Sequence, residues 1–161
     1  MAKDRKPQAV VENRIEVAAS PEVLWTCFSD IGHWTRWFPD LVEATWIAGI
    51  PWTLGAQFRQ TVEFGFPLGT VSGSGTVVEL SATPYVAWQG EVAGTEAIHG
   101  FHFEATAGGT QVTSRHEFYG GRAVAARLFF LTRRVSRIYH QALQGLKVYV
   151  EKGTIQLRMQ M

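Results

Sequence analysis

From Arg122 to about Glu151 thirty residues pass without a proline, and one apolar stripe runs their whole length. Leu128, Leu131, Val135, Ile138, Tyr139, Ala142, Leu143, Leu146 and Val150 recur at steps of three and four, the period of a single helical face. Arg133, Arg134 and Arg137 fall on the opposite side, so the face is one-sided. Gly120-Gly121 precede the run, and Gly153 stands where a stop is expected. At ~1.5 Å per residue the result is a rod of ~45 Å. Such a rod must lie along an apolar surface of similar length. The rest of the chain reads as the strand-rich sheet that supplies it, with a pocket between the two.

Residues 1–9 read as a flexible tail, residues 10–153 as one domain and residues 154–161 as a C-terminal tail. Val11, Ile15 and Val17 alternate with Glu12, Arg14 and Glu16, which predicts a half-buried first strand over Val10–Ala18. Ser20-Pro21-Glu22 is a helix start: a cap, a proline at the first helical position and an acid in the first turn. A short helix over Pro21–Ser29 follows, and a second short turn ends at Pro39. Six strands in series are then predicted: Leu41–Ala48, Ala56–Phe64, Thr70–Leu80, Tyr85–Glu91, Thr95–Thr106 and Gln111–Tyr119. The glycines of Thr70–Leu80 suit a bulged or bent strand. The fold class is therefore α+β, a curved seven-stranded antiparallel sheet around one long C-terminal helix, with two short helices between strands one and two.

Three stretches carry a resemblance to a known superfamily: Ile15 to Trp25 leading to Asp30 and Trp37-Phe38-Pro39; Pro84-Tyr85-Val86-Ala87-Trp88; and Phe101-His102-Phe103-Glu104 with Gly108-Gly109-Thr110-Gln111-Val112-Thr113 and the terminal helix. Over roughly Val11 to Glu151 the chain resembles the START, polyketide-cyclase and birch-pollen-allergen proteins, the helix-grip superfamily. The motifs mark caps, turns and core rather than a reacting group. The resemblance implies an apolar cavity between sheet and helix. It also implies a role among lipid and hormone carriers, cyclases and aromatases, quinone binders or chaperone activators. Fold analogy alone does not choose among them.

Composition narrows the classes. A net charge of +1 provides no global field toward nucleic acid. No run approaches the ~18 apolar residues of a membrane span, and the polar start has no signal-peptide core. The one cysteine, Cys27, permits no intrachain disulfide and has no histidine placed to activate it, so it reads as a buried, inert thiol. The expected compartment is the cytoplasm. No metal-ligand spacing, phosphate loop or nucleophile elbow is present, and neither a metal nor a cofactor is implied.

Six tryptophans and ten phenylalanines suit both a core and an apolar pocket. By alternation His99 and His116 face the helix from strands joined by one hairpin. Two imidazoles there suit proton handling, and equally suit hydrogen bonds that order the pocket. Trp46, Phe58, Gln60, Val62, Trp88, Phe101, Phe103, Ser114 and Tyr139 are the candidate ligand-binding residues. Phe64, Phe66 and Leu68 at a hairpin tip, with Phe129 and Phe130 on the helix, are apolar where exposure is expected. They suit a cavity mouth, an interface or a peripheral membrane contact. Arg127, Arg133, Arg134 and Arg137 read as a solvated helix face. His33, His102 and His140 carry no assignment.

Three roles remain open. The first is binding of a hydrophobic small molecule such as a lipid, quinone or polyketide. The second is a cyclase or aromatase in which His99 and His116 move protons. The third is a protein- or membrane-interaction module.

Overall fold

A computed structural model describes residues 4–82, 84–120 and 125–160. Strand β1 (Ala9–Val17) leads to helix α1 (Pro21–Phe28) and a 3-10 helix (Ile31–Arg36). Strands β2 (Leu41–Ala48), β3 (Gln57–Glu63), β4 (Thr70–Ser81), β5 (Tyr85–Val92), β6 (Thr95–Thr106) and β7 (Gly109–Tyr119) follow, and helix α2 (Ala125–Met159) closes the chain. The seven strands form one antiparallel sheet in the order β1-β7-β6-β5-β4-β3-β2.

Local signals explain the connections. Ser20 accepts the Val23 N–H on its Oγ at 3.3 Å, with Pro21 in the first turn, so α1 starts where an orphan donor is satisfied. Together α1 and the 3-10 helix carry the chain from one sheet edge to the other. Irregular pairing in β2 and β4 bends the strands. At Gly75 the missing side chain admits neighbouring rings: a Cβ there would lie 2.7 Å from Trp88 and 3.0 Å from Phe58.

The apolar stripe of α2 seats in the concave face, and all nine residues from Leu128 to Val150 that define it are buried. Lys147 and Glu151 fasten the helix to the end of β1. Lys147 Nζ donates to the Glu16 carbonyl at 2.8 Å, and the Ala18 N–H donates to Glu151 at 2.9 Å. Hydrogen bonds from Lys147 and from the Ala18 N–H hold the Glu151 carboxyl below its usual range.

Gly145 sets the seating. A Cβ on it would lie 1.8 Å from the Trp37 carbonyl oxygen, which is backbone and cannot swing away. Gly145→Ala should gain about 1 kcal/mol of helix propensity but lose about 3 kcal/mol or more to overpacking. A net loss of about 2 kcal/mol is expected, read from the urea midpoint. An unchanged midpoint would contradict this packing.

Two tail boundaries differ from expectation. The helix does not stop at Gly153, which keeps a helical backbone, and α2 runs on to Met159. An isolated glycine costs only about 1 kcal/mol, and the residues after it are mostly good helix formers. At the other end the chain is docked before β1. The Gln8 N–H donates to the Phe118 carbonyl at 2.8 Å, and Arg5 pairs with Glu96 at 3.1 Å while lying over the Tyr119 ring. The predicted helix start at Gly121-Arg122 lies outside the described residues.

Candidate functional site

Alternation in β6 and β7 places His99 and His116 directly opposite each other, one rung across from Trp88 on β5. Both face α2 and both are buried, at 3% and 2% exposure. Their rings stack with centroids 3.5 Å apart at 25°. Tyr139 from α2 covers the pair, 4.5 Å from His99 and 4.3 Å from His116. Ser114 sits behind, its Oγ 3.0 Å from His99 Nε2.

The electrostatics follow from dryness. Burial pushes both imidazoles well below their ordinary range, and for His99 the neighbouring His116 adds to the effect. Burial pushes the Tyr139 hydroxyl well above its range, opposed weakly by the Gln60 side chain. At neutral pH the cluster is therefore uncharged. Among the described residues, Nδ1 of each histidine and Oε1 of Gln60 are buried with no hydrogen-bond partner from the protein.

A cleft opens beside these atoms. Gln60, Val62 and Phe64 at β3, Val71, Gly73, Ser74 and Gly75 from β4, Trp88, Gly90, Glu91 and Val92 from β5, Ala97, both histidines, and Val135 and Tyr139 from α2 line it. About 40 Å³ of it is open to the centre of a water molecule. That is room for about three waters at ~10–15 Å³ each. The seam between helix and sheet is therefore hollow, but narrowly so.

The deep end is plugged by rings. Phe28 sits among Trp25, Trp34, Trp37, Trp52, Phe101 and Phe103, all with centroids within 6.2 Å. Trp34 Nε1 donates to the Phe28 carbonyl and Trp52 Nε1 to the Ser29 carbonyl, both at 2.6 Å, so these indoles are fixed at their polar ends.

Of the candidate ligand-binding residues, Gln60, Val62, Trp88 and Tyr139 line the cleft together with His99 and His116. Phe58, Phe101 and Phe103 instead belong to the aromatic block, and half-buried Trp46 packs on its edge against Trp52 and Phe58. Ser114 does not line the cleft and meets the site through its hydrogen bond with His99. Sequence reasoning missed Val71, Gly73, Ser74, Gly75, Gly90, Glu91, Val92, Ala97 and Val135. Val135 was legible as part of the helical stripe. The glycines of β4 marked a bend but gave no sign that the cleft opens over them.

Of the residues offered as a cavity mouth or interface, Phe64 is buried and lines the cleft, whereas Phe66, Phe129 and Phe130 are 88%, 66% and 47% exposed and do not line it. The solvated-arginine expectation needs correction at Arg134. Its guanidinium donates to the carbonyls of Phe64 at 3.0 Å and Phe66 at 2.8 Å and lies over the Phe130 ring, tying the hairpin tip to α2. A long side chain on the outward face reaches carbonyls that helical spacing alone does not reveal. Arg133 and Arg137 are exposed as expected, and the side chain of Arg127 lies outside the described residues. Cys27 is half-buried rather than buried, and burial pushes its thiol up, away from the nucleophilic thiolate.

Residues 8–151 match the family described as polyketide cyclase / dehydrase and lipid transport. The chain belongs to this family. No curated protein sequence matches it. Among solved structures it is similar to the ZhuI aromatase/cyclase of Streptomyces sp. R1128, at TM-score 0.74 and 17% identity over 89% of this chain and 94% of that one. The protein TTHA0849 from Thermus thermophilus gives 0.74 and 11% over 90% and 99%. The di-domain ARO/CYC BexL of the BE-7585A biosynthetic pathway gives 0.71 and 19% over 89% of this chain and 47% of that one. These likenesses establish the helix-grip fold. Family membership supports hydrophobic-ligand binding or a cyclase role without separating the two. Among the described residues no helix is long and apolar enough to cross a membrane.

Proposed function

We propose that this family member binds a hydrophobic small molecule with one polar end, held between the sheet and α2. The observation that carries the reading is a set of three buried atoms, Gln60 Oε1, His99 Nδ1 and His116 Nδ1, that have no partner among the described residues and lie beside a largely apolar cleft. Gln60 Oε1 can only accept, so it calls for a ligand hydroxyl or N–H. The neutral imidazoles add nitrogen atoms that donate or accept. Burial of the ligand's apolar body supplies affinity at ~25 cal/mol per Å².

A second reading, a cyclase or aromatase, is favoured by the stacked histidines under a tyrosine. It is the weaker reading physically. A general base works best with a pKa near the working pH, and burial has moved both imidazoles far below it.

Titration with 1-naphthol and naphthalene separates these ideas. The hydroxylated probe should bind about ten-fold tighter, one hydrogen bond's worth. Gln60→Leu should abolish the difference while leaving naphthalene binding intact. Failure of either probe to bind would remove the carrier reading. Cyclisation of a poly-ketone that is lost in His99→Gln with unchanged stability would install the enzyme instead.

A further inference from the structure

Large apolar side chains stand out from the hairpin tip and from the start of α2. Phe66 projects from the hairpin tip at 88% exposure and Phe129 from the first turns of α2 at 66%. Arg134 joins the two elements into one surface, since it holds the Phe66 carbonyl and lies over Phe130. Leu68 adds a partly exposed aliphatic group to the same tip. Beside these groups Arg133 stacks on Phe129 at 4.8 Å, and Arg137 lies one turn further along the helix. Among the described residues neither Arg133 nor Arg137 has an acidic partner. Protruding rings flanked by unpaired guanidiniums match the layered chemistry of a membrane interface, apolar below and anionic above.

We infer that this face docks on an anionic phospholipid surface, with Phe66, Phe129 and Phe130 entering the acyl boundary and Arg133 and Arg137 meeting headgroup phosphates. The inference stands on exposure and charge and is independent of which molecule the cleft takes. Phe64, at the base of the same hairpin tip, lines the cleft.

The test is co-sedimentation of the full chain, without added ligand, with vesicles of phosphatidylcholine alone and of phosphatidylcholine mixed with phosphatidylglycerol. The protein should partition onto the mixed vesicles, not the neutral ones, and should be released by salt. Phe66→Ser with Phe129→Ser should weaken partitioning about ten-fold or more. Arg133→Gln and Arg137→Gln should each weaken it about five-fold. The arginine variants carry the test should the serine changes disturb the tip. Naphthol binding in solution should survive Arg133→Gln and Arg137→Gln, whose side chains do not line the cleft, so failure here does not touch it. Absence of sedimentation with anionic vesicles would overturn the inference, as would variants that partition like the parent. So would a wild-type dimer that the same substitutions dissociate without any vesicle binding, because the face would then be an interface between copies.

Discussion

Acidifying the protein from about pH 6.5 to about pH 4.5 is expected to remove about 5 kcal/mol of folding stability through two side chains. His99 and His116 stay neutral in the folded state because burial holds their protonation far below the ordinary value of 6.5. In the unfolded chain both titrate normally. Below pH 6.5 the unfolded state thus binds protons that the folded state refuses, and stability falls as pH falls. Each group contributes up to about 1.36 kcal/mol per pH unit, and two groups about twice that. The sum rivals the whole stability of a typical domain, about 5–15 kcal/mol. Carboxylates do not confuse the window. Glu12, Glu63 and Glu151 have lowered values, so the stability they add is lost as pH falls from the ordinary carboxyl value downward, at the bottom edge of this window and beyond it. Urea midpoints measured across the window should slope steeply for the wild type and lie nearly flat for the His99→Gln, His116→Gln double variant. A flat wild-type profile would mean that the two rings are not dry.

The architecture was legible because its determinants are periodic. The stripe from Leu128 to Val150 predicts the buried face of α2, and strict alternation over His99, Phe101, Ser114 and His116 predicts which side of the sheet faces it. Alternation names a face, not a neighbour. His99 and Phe103 share the inner face, yet one borders the cleft and the other lies in a ring block. What divides them comes from elsewhere in sequence. Phe28 and Trp34 belong to the crossing segment, and Trp52 is set by a loop in which it holds a positive φ of 56°. No local pattern encodes how far those indoles reach. The links made by Arg134 and Arg5 were hidden for a related reason: long cationic side chains select partners by reach, and sequence spacing records only their direction.

Truncation of the hub of that block should have the second large effect. Phe28 is fully buried, and its neighbours Trp34 and Trp52 are pinned to backbone carbonyls, so they cannot swing in to fill a vacancy. Phe28→Ala should therefore cost about 3–5 kcal/mol, the range for a ring removed from a site that relaxes poorly. The position of the vacancy matters more than its energy. Phe28 borders a void of about 10 Å³ whose other walls include Trp88 and Tyr139, and those two residues also line the cleft. Removing the ring should extend the apolar space behind the histidines without touching the unpartnered polar atoms. Naphthalene should then raise the thermal midpoint of Phe28→Ala more than that of the wild type, because a dry cavity gains from being filled. A loss of under about 1 kcal/mol would show that the block is soft and readily rearranged. The full loss with no rescue by naphthalene would show instead that the ring block and the cleft are separate compartments, so that Phe28 sets stability but not the length of ligand the protein accepts.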